Sequence, residues 1–383
     1  MTSSSAHQRL IFIDFMRGIA VLFMLEAHVF NEMLIPTLKA TSWYNLLDFA
    51  NGLMSPLFIF LAGLVFTIAT RNKQDDIRSF GPALWKLLRR IGFIWIIAYA
   101  LHLPFHSLNK MLHATTPDGW LRFYQANALH CIAAGWLFLL TSLIAITSEP
   151  NFRRWLIGSG IMIVLVTPLL WDVDFTQMMP APLAAYLNEQ HYSIFPLFPW
   201  LGFLLFGAVW GAAYLDAVAA GRERAFMKNM ALIGAGLLAM SYVVALLPVN
   251  LSYGTSSLRA SPIFFIKRLG FVLLLLTAGW HLSSKFLSEA SLLVQIGRES
   301  LLVYVTHLIM LYKNVWGGTS LVRLYGNRLD PSQCLLAMLA LMTVMSLAAL
   351  LWGRIKQHSF AFARLATYAT GCYLLLRFFT KQH

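Results

Sequence analysis

Apolar residues in this chain gather into runs as long as a membrane-crossing helix, separated by short polar and basic stretches. A hydrocarbon core about 30 Å thick takes roughly 17 to 25 apolar residues at 1.5 Å each. Runs of that kind occupy about residues 11–33, 52–70, 91–108, 127–147, 155–171, 194–215, 230–248, 264–283, 292–312 and 333–352. The pattern predicts an all-α, polytopic membrane protein of about ten transmembrane helices. The last stretch, FAFARLATYATGCYLLLRFF, is interrupted by Arg364 and bounded by Arg377, so it reads as a C-terminal interfacial helix, with an eleventh span as the alternative. The expected division is a transmembrane domain over 1–358 and an amphipathic tail over 359–383, with no soluble domain, linker or internal repeat. The first run starts eight or nine residues in, is long and lacks a small-residue cleavage pattern, and is read as retained.

Composition supports the membrane reading. The chain has 383 residues, 58% of them hydrophobic and 12% charged, with mean hydropathy +0.66, far more apolar than an ordinary soluble protein. Its net charge of +13 would suggest nucleic acid in a soluble protein, but here the basic residues fall mostly in short loops. With the N-terminus in the cytoplasm, fourteen Lys and Arg lie in inner loops and seven in outer ones, as the positive-inside rule requires. The outer loop from Trp171 to Ser193 has no Lys or Arg but carries Asp172, Asp174 and Glu189. The expected partners therefore include membrane lipids and exclude nucleic acid, and the expected location is the inner, cytoplasmic membrane; a homodimer stays open. Cys131, Cys334 and Cys372 lie in or near apolar segments with no metal-ligand spacing, so neither a metal site nor a disulfide framework is expected.

The costliest stretch is the first run, which carries Asp14, Arg17, Glu26 and His28. Each ionisable group at bilayer depth costs roughly 2.5 to 3.5 kcal/mol on insertion scales, so packing alone is a poor reason to keep four. On a helix Arg17 and His28 are about 20° from eclipsed and about 16 Å apart along the axis, with Asp14 about 40° from His28 on the same side. Glu26 lies about 180° from Arg17 and needs a partner on another helix. A structural salt-bridge set or a proton relay suits these residues as well as a catalytic site does.

The segment IDFMRGIAVLFMLEAH resembles the first-helix motif of the transmembrane acyltransferase superfamily, Asp-x-x-Arg-Gly with Arg-x10-His, onto which Arg17 and His28 fit. That superfamily includes the acyltransferase-3 enzymes and relatives of heparan-α-glucosaminide N-acetyltransferase, and this chain resembles the bacterial members of the latter group. Further matches keep their order along the chain. GLMSPLFIFLAGLVFTIATR resembles the second helix, with Pro56 fitting its Pro before the Phe-x-Phe run and Asn51 and Ser55 as helix caps or polar site walls. Arg89 and Arg90, expected at the start of the third helix, resemble the arginine pair of acyltransferase-3 enzymes, although plain positive-inside charge explains part of that loop. Leu129 and His130 resemble the Leu-His element of a later helix, where His130 is either a substrate contact or a satisfied structural histidine. FPLFPWLGFLLFGAVWG places Pro199 and Trp200 at the outer rim, and GRESLLVYVTH resembles a Gly-Arg-x-Ser-Leu-x-x-Tyr-x-x-His helix. There Ser300, Tyr304 and His307 share one helical face, while Arg298 lies about 180° away from His307 at the cytoplasmic end. One departure stands out: lysosomal relatives carry a second histidine in the following outer loop, and the equivalent spacing from position 28 reaches Lys39.

The resemblance implies an acyltransferase moving an acetyl or short acyl group from cytoplasmic acyl-CoA, as co-substrate and without metal, to a hydroxyl or amine of an extracytoplasmic saccharide. It implies catalytic roles for His28, Glu26 and His307, with Glu26 orienting a neighbouring His or Arg; donor contacts from Asp14, Arg17, Arg89, Arg90 and Arg298; and acceptor contacts from Asn51, His130, Trp200, Ser300 and Tyr304. A proton-coupled transporter or flippase using the same intramembrane Glu, His and Arg set is the rival. The enzyme reading places the donor site on the cytoplasmic side, with the Arg-rich inner loop and the Arg17 end of the first helix. Reporter fusions are expected to place residue 80 in the cytoplasm and residue 180 outside, and the reverse result would invert the donor side.

Overall fold

The computed structural model describes residues 11–246 and 257–381. The N-terminal segment assigned to the cytoplasm, the last two residues of the run 230–248 and the end of the tail lie outside these. The chain is 81% helical and, among the described residues, has no strand. In order the helices are α1 (Ile11–Met33), α2 (Ser42–Asn51), α3 (Met54–Thr70), α4 (Gln74–Arg78), α5 (Pro82–Leu101), α6 (Leu108–Ala114), α7 (Pro117–Tyr124), α8 (Ala128–Ala145) and α9 (Glu149–Leu170). They continue as α10 (Ala181–Ala184), α11 (Leu197–Ala219), α12 (Glu223–Leu246), α13 (Pro262–Phe286), α14 (Leu292–Arg298), α15 (Ser300–Tyr312), α16 (Leu321–Tyr325), α17 (Pro331–His358) and α18 (Phe360–Thr380).

Among the described residues each of the ten apolar runs falls mainly on helix, that of 91–108 leaving it after Leu101. Among the described residues, seven helical stretches are long and apolar enough to cross a membrane, or eight if α14 and α15 form one broken span. α1 and α5 have the length, 23 and 20 residues, but carry more charge: Asp14, Arg17, Glu26 and Glu32 in α1, Lys86, Arg89 and Arg90 in α5. α5 also starts earlier than its apolar run. Gly81 is extended and Pro82 follows at the first helical position, a strong start signal, so Arg89 and Arg90 sit two turns inside the helix rather than at its beginning. The tail is one helix whose only buried residue is Ala363.

Internal packing divides the chain into two compact units, residues 1–58 with 275–373, and residues 59–274 with 374–383. In the first unit, α1 lies directly on α14 because both helices present glycine at the crossing. A Cβ added to Gly18 would stand 2.1 Å from the Leu293 carbonyl oxygen, and one added to Gly297 would stand 1.7 Å from the Asp14 carbonyl oxygen. Small residues at a crossing let two backbones approach to van der Waals distance, the main source of helix association where lipid removes the hydrophobic drive. Beyond α1 the chain pairs with the loop before α17: the Ile35 amide donates to the Leu329 carbonyl at 3.0 Å and the Leu329 amide to the Met33 carbonyl at 2.8 Å.

The run 292–312, expected as one helix, is two, bent by 81°. Glu299 leaves the helical region at φ −103°, ψ 21°, and its carboxylate meets Lys356 of α17 at 2.6 Å. Apolar periodicity passes through the bend without interruption, which hides it from the sequence; the glycine pinned on Asp14 and the ion pair to α17 fix it.

In the second unit, Gly63 and Gly207 repeat the device, each set against a carbonyl of the other helix, Leu204 O at 1.9 Å and Phe60 O at 2.0 Å from the added Cβ. The ends of α3, α9 and α11 meet in an ion network. Arg71 contacts Glu149 at 3.2 Å and Asp216 at 2.5 Å, and Arg153 contacts the same two acids at 3.0 and 2.6 Å. Three loops assigned to one side by charge are thereby joined at one end of this unit. At its other end Asn127 caps α8, Ser193 accepts the Ala126 amide, and hydrogen bonds from Thr176 and His191 hold the Asp174 carboxyl below the usual carboxylate range.

The Gly297 crossing is testable. Gly297→Ala is expected to lower the melting temperature of the detergent-solubilised protein by several degrees, since overpacking costs roughly 1 to 3 kcal/mol or more. Gly353→Ala in α17, where an added Cβ meets nothing within 4 Å, should leave it unchanged or slightly raised; equal behaviour of the two variants would refute the contact.

Candidate functional site

The polar residues of α1 divide between its two ends, and each end meets α14 or α15. Near the start, Asp14 is 4% exposed and pairs with Arg17 at 3.5 Å and with Arg298 at 3.3 Å. Arg17 also donates to the Ser300 hydroxyl at 2.7 Å, and Arg298 reaches Glu289 at 3.0 Å. Both guanidiniums therefore flank the first turn of α15. Four of the residues picked from the sequence, Asp14, Arg17, Arg298 and Ser300, form this one cluster. The half-turn separation of Arg298 from His307 assumed one continuous helix; the bend at Glu299 separates the two residues onto α14 and α15, and Arg298 pairs with Asp14.

About 16 Å further along α1, His28 meets His307 with ring centroids 5.3 Å apart. His307 is fully buried. Its Nδ1 lies 2.9 Å from the Val303 carbonyl, which can only accept, so Nδ1 carries the proton and Nε2 keeps its lone pair. That Nε2 has no hydrogen-bond partner among the described residues. Tyr304 packs edge-on to His307 at 5.7 Å and is stacked on Phe58 at 6.2 Å. The Ser300–Tyr304–His307 stripe thus survives the bend, because all three residues lie within α15.

Two residues of this cluster are absent from the sequence reading. Tyr312 Oη sits 2.9 Å from His28 Nδ1 and donates to Glu32 at 3.0 Å. Glu32 was legible, since it follows His28 by four residues on the same helical face. Tyr312 lies about 140° around α15 from His307, off the polar stripe, and only the fold brings it to His28.

Glu26 does not meet the expected His or Arg. It is 7% exposed, and neither carboxylate oxygen has a hydrogen-bond partner among the described residues. It faces Asn51 of α2, which is 8% exposed and whose own Oδ1 is likewise unpartnered. The 200° between positions 26 and 28 on a helix explains why Glu26 serves a different surface from His28.

The remaining candidates belong to the second unit. Arg89 is exposed and donates to the Trp85 carbonyl at 3.3 Å, while the Arg90 guanidinium covers the Trp136 indole at 5.0 Å. His130 is fully buried at the first turn of α8. It takes part in the Asn127 capping box and packs against Tyr99 at 4.3 Å, with its Nε2 unpartnered among the described residues. Trp200 is buried against Phe195 at 4.8 Å. Among the described residues no group of three or more His, Cys, Asp or Glu could hold a metal ion.

Lys39, at the spacing where the resembling enzymes carry a histidine, donates to the Asn31 carbonyl at 2.6 Å and to Asn327 Oδ1 at 2.9 Å. Its ammonium ties the loop after α1 to the loop before α17.

No curated protein matches the chain. A family model described as heparan-alpha-glucosaminide N-acetyltransferase, catalytic, matches residues 9–247. The match takes in α1 with Asp14, Arg17, Glu26 and His28 and runs to the end of α12, so well over half of the sequence is covered. The chain belongs to the heparan-alpha-glucosaminide N-acetyltransferase catalytic family.

Proposed function

We propose that this protein is a membrane-bound acyltransferase that moves an acetyl or short acyl group from cytoplasmic acyl-CoA to an amine or hydroxyl of an extracytoplasmic saccharide, with His28 as general base. The observation that carries the reading is the His28–His307 pair, two imidazoles 5.3 Å apart inside a helical unit, with a cluster of two guanidiniums at the other end of the same helix. A base of this kind must lie within hydrogen-bond reach of the proton it removes and must be neutral at working pH, which imidazole is. His28 removes the proton of the acceptor as it attacks the thioester carbonyl. His307, with its Nε2 lone pair facing the same region, accepts a hydrogen bond from the acceptor and orients it.

Arg17 and Arg298 hold the anionic end of the donor by exchanging part of their contacts with Asp14 and Glu289 for phosphate oxygens. Guanidinium binds phosphate bidentately, and the first amides of α15 add donors with a favourable dipole. Asn51, Ser300 and Tyr304 are the proposed acceptor contacts of this unit; in the second unit Arg89 and Arg90 are proposed donor contacts and His130 and Trp200 proposed acceptor contacts. Glu26, buried beside Asn51, is available to a hydroxyl or amine of the acceptor rather than to another histidine.

The 81° break between α14 and α15 favours a second reading. Discontinuous helices with charged and polar groups at the break are how many transporters build a substrate site. The two readings part on the fate of label: acetyl transfer leaves label covalently on the saccharide, whereas transport moves an unmodified substrate across the bilayer.

With purified protein in lipid nanodiscs, [14C]acetyl-CoA and methyl α-glucosaminide, His28→Ala is expected to lose about 10²- to 10⁴-fold in single-turnover rate, the usual contribution of a general base. Stabilisation against heat by acetyl-CoA should persist. Folded variant that turns over at the normal rate would remove His28 from the chemistry.

Arg90→Gln should raise the Michaelis constant for acetyl-CoA about tenfold or more and spare that for the acceptor, since a charge-assisted contact contributes roughly 1.5 to 3 kcal/mol. An unchanged donor constant would reduce Arg90 to its packing on Trp136.

A further inference from the structure

Tyr312 stands between a carboxylate and a histidine, and its single hydroxyl proton can go to only one of them. Glu32 Oε1, 3.0 Å from Tyr312 Oη, is a carboxylate oxygen and can only accept. The phenol proton therefore points at Glu32. The phenol oxygen is left to accept from His28 Nδ1, 2.9 Å away, so that nitrogen carries the imidazole proton. His28 Nε2 is left as the lone-pair nitrogen, and it is the atom that must take a proton if His28 is a base. The ring of Tyr312 also stands edge-on to His28, 86° between planes with centroids 5.7 Å apart, which holds the imidazole plane against rotation. His307, the other titratable group from α15 facing His28, has its own Nδ1 committed to the Val303 carbonyl.

Resting on the reading of His28 as the base, we propose that Glu32 and Tyr312 are positioning residues, a carboxylate–phenol–imidazole relay that fixes His28 in its Nδ1–H tautomer and stabilises its charged form. Neither residue touches substrate. As the acceptor's nitrogen or oxygen bonds to the thioester carbonyl carbon, its proton passes to His28 Nε2. The imidazolium keeps Nδ1–H on Tyr312, and the Glu32 charge offsets its positive charge through the phenol. Collapse of the intermediate breaks the carbon–sulfur bond, and the Nε2 proton goes to the departing thiolate, giving free CoA thiol and neutral His28. Tyr312 ends protonated and Glu32 ionised, as they began. An interposed carboxylate-bound group that selects one histidine tautomer is the same physical device that orients catalytic imidazoles and metal-bound histidines elsewhere.

The test has two readouts on the full-length protein in lipid nanodiscs. Imidazole ¹⁵N spectra, with His28 identified by the resonance lost in His28→Ala, should show protonated Nδ1 and unprotonated Nε2 in the wild type. Tyr312→Phe, which keeps the ring against His28, should shift that signal toward a mixture of tautomers. A wild-type spectrum with the proton on Nε2 would overturn the relay. In steady state with acetyl-CoA and methyl α-glucosaminide, Tyr312→Phe and Glu32→Gln should each lose about 10- to 100-fold in kcat with both KM values changed less than about twofold, as for other partners that orient a working imidazole. The double variant should be no slower than the worse single, and Tyr312→Phe should cost nothing further in a His28→Ala background. Wild-type kcat in both single variants, with His28→Ala impaired, would overturn the relay and leave the base assignment standing. Normal turnover in folded His28→Ala would remove the base assignment instead, and the ¹⁵N spectra would then still decide whether the relay sets the tautomer.

Discussion

An aspartate and two arginines on apolar helices cannot be left to themselves at bilayer depth, and the way Asp14 is satisfied organises the whole first unit. Its carboxylate takes Arg17 from its own helix and Arg298 from α14. That second contact requires α1 and α14 to touch backbone to backbone, which Gly18 and Gly297 permit. Two residues beyond Gly297, seated on the Asp14 carbonyl, the chain leaves the helical path at Glu299. The bend follows, and with it the new helix start at Ser300, where Arg17 donates. Removing a buried charge's partner costs roughly 3 to 5 kcal/mol, so the ion set, the glycine crossing and the broken helix are one constraint seen at three levels.

From that start, α15 has only one register. Ser300 fixed beside Arg17 puts Tyr304 and His307 four and seven residues further along the same face, which brings His307 to the level of His28. The distance from the arginine cluster to the histidine pair is thus set by α1, a single rigid helix, at about 16 Å between Arg17 and His28. In the proposed mechanism one end of a long donor is held while its thioester is presented at the other end, and a helix is a suitable ruler for that task.

How much of this could be read in the chain depended on whether a feature is local. The helical runs, the Arg17–His28 spacing and the Ser300–Tyr304–His307 stripe are properties of one helix each, and periodicity exposes them. The bend at Glu299 is not, because its causes are a carbonyl on α1 and a lysine on α17. Glu26 was assigned an ionic partner on the ground that buried charge needs one, and its actual neighbour, Asn51, is a weaker group. Arg89 and Arg90 were placed at the start of a helix because charge was read as loop; Pro82 starts that helix earlier and leaves Arg90 to stack on Trp136. Tyr312 could not be found from spacing at all.

The exchange of a histidine for Lys39 bears on why the base is expected at position 28. A lysine ammonium is charged at neutral pH unless it is desolvated or placed beside other cations, and it has three donors and no lone pair. Lys39 is given two oxygen acceptors instead, the Asn31 carbonyl and the Asn327 amide oxygen. The loop position is a tie between α1 and the segment before α17. His28 is the one on α1 whose ring nitrogen is fixed by a partner chain of donors ending in a carboxylate. In the proposed mechanism the base is thus the imidazole one helical turn before Glu32, inside the unit, rather than a group at the Lys39 position.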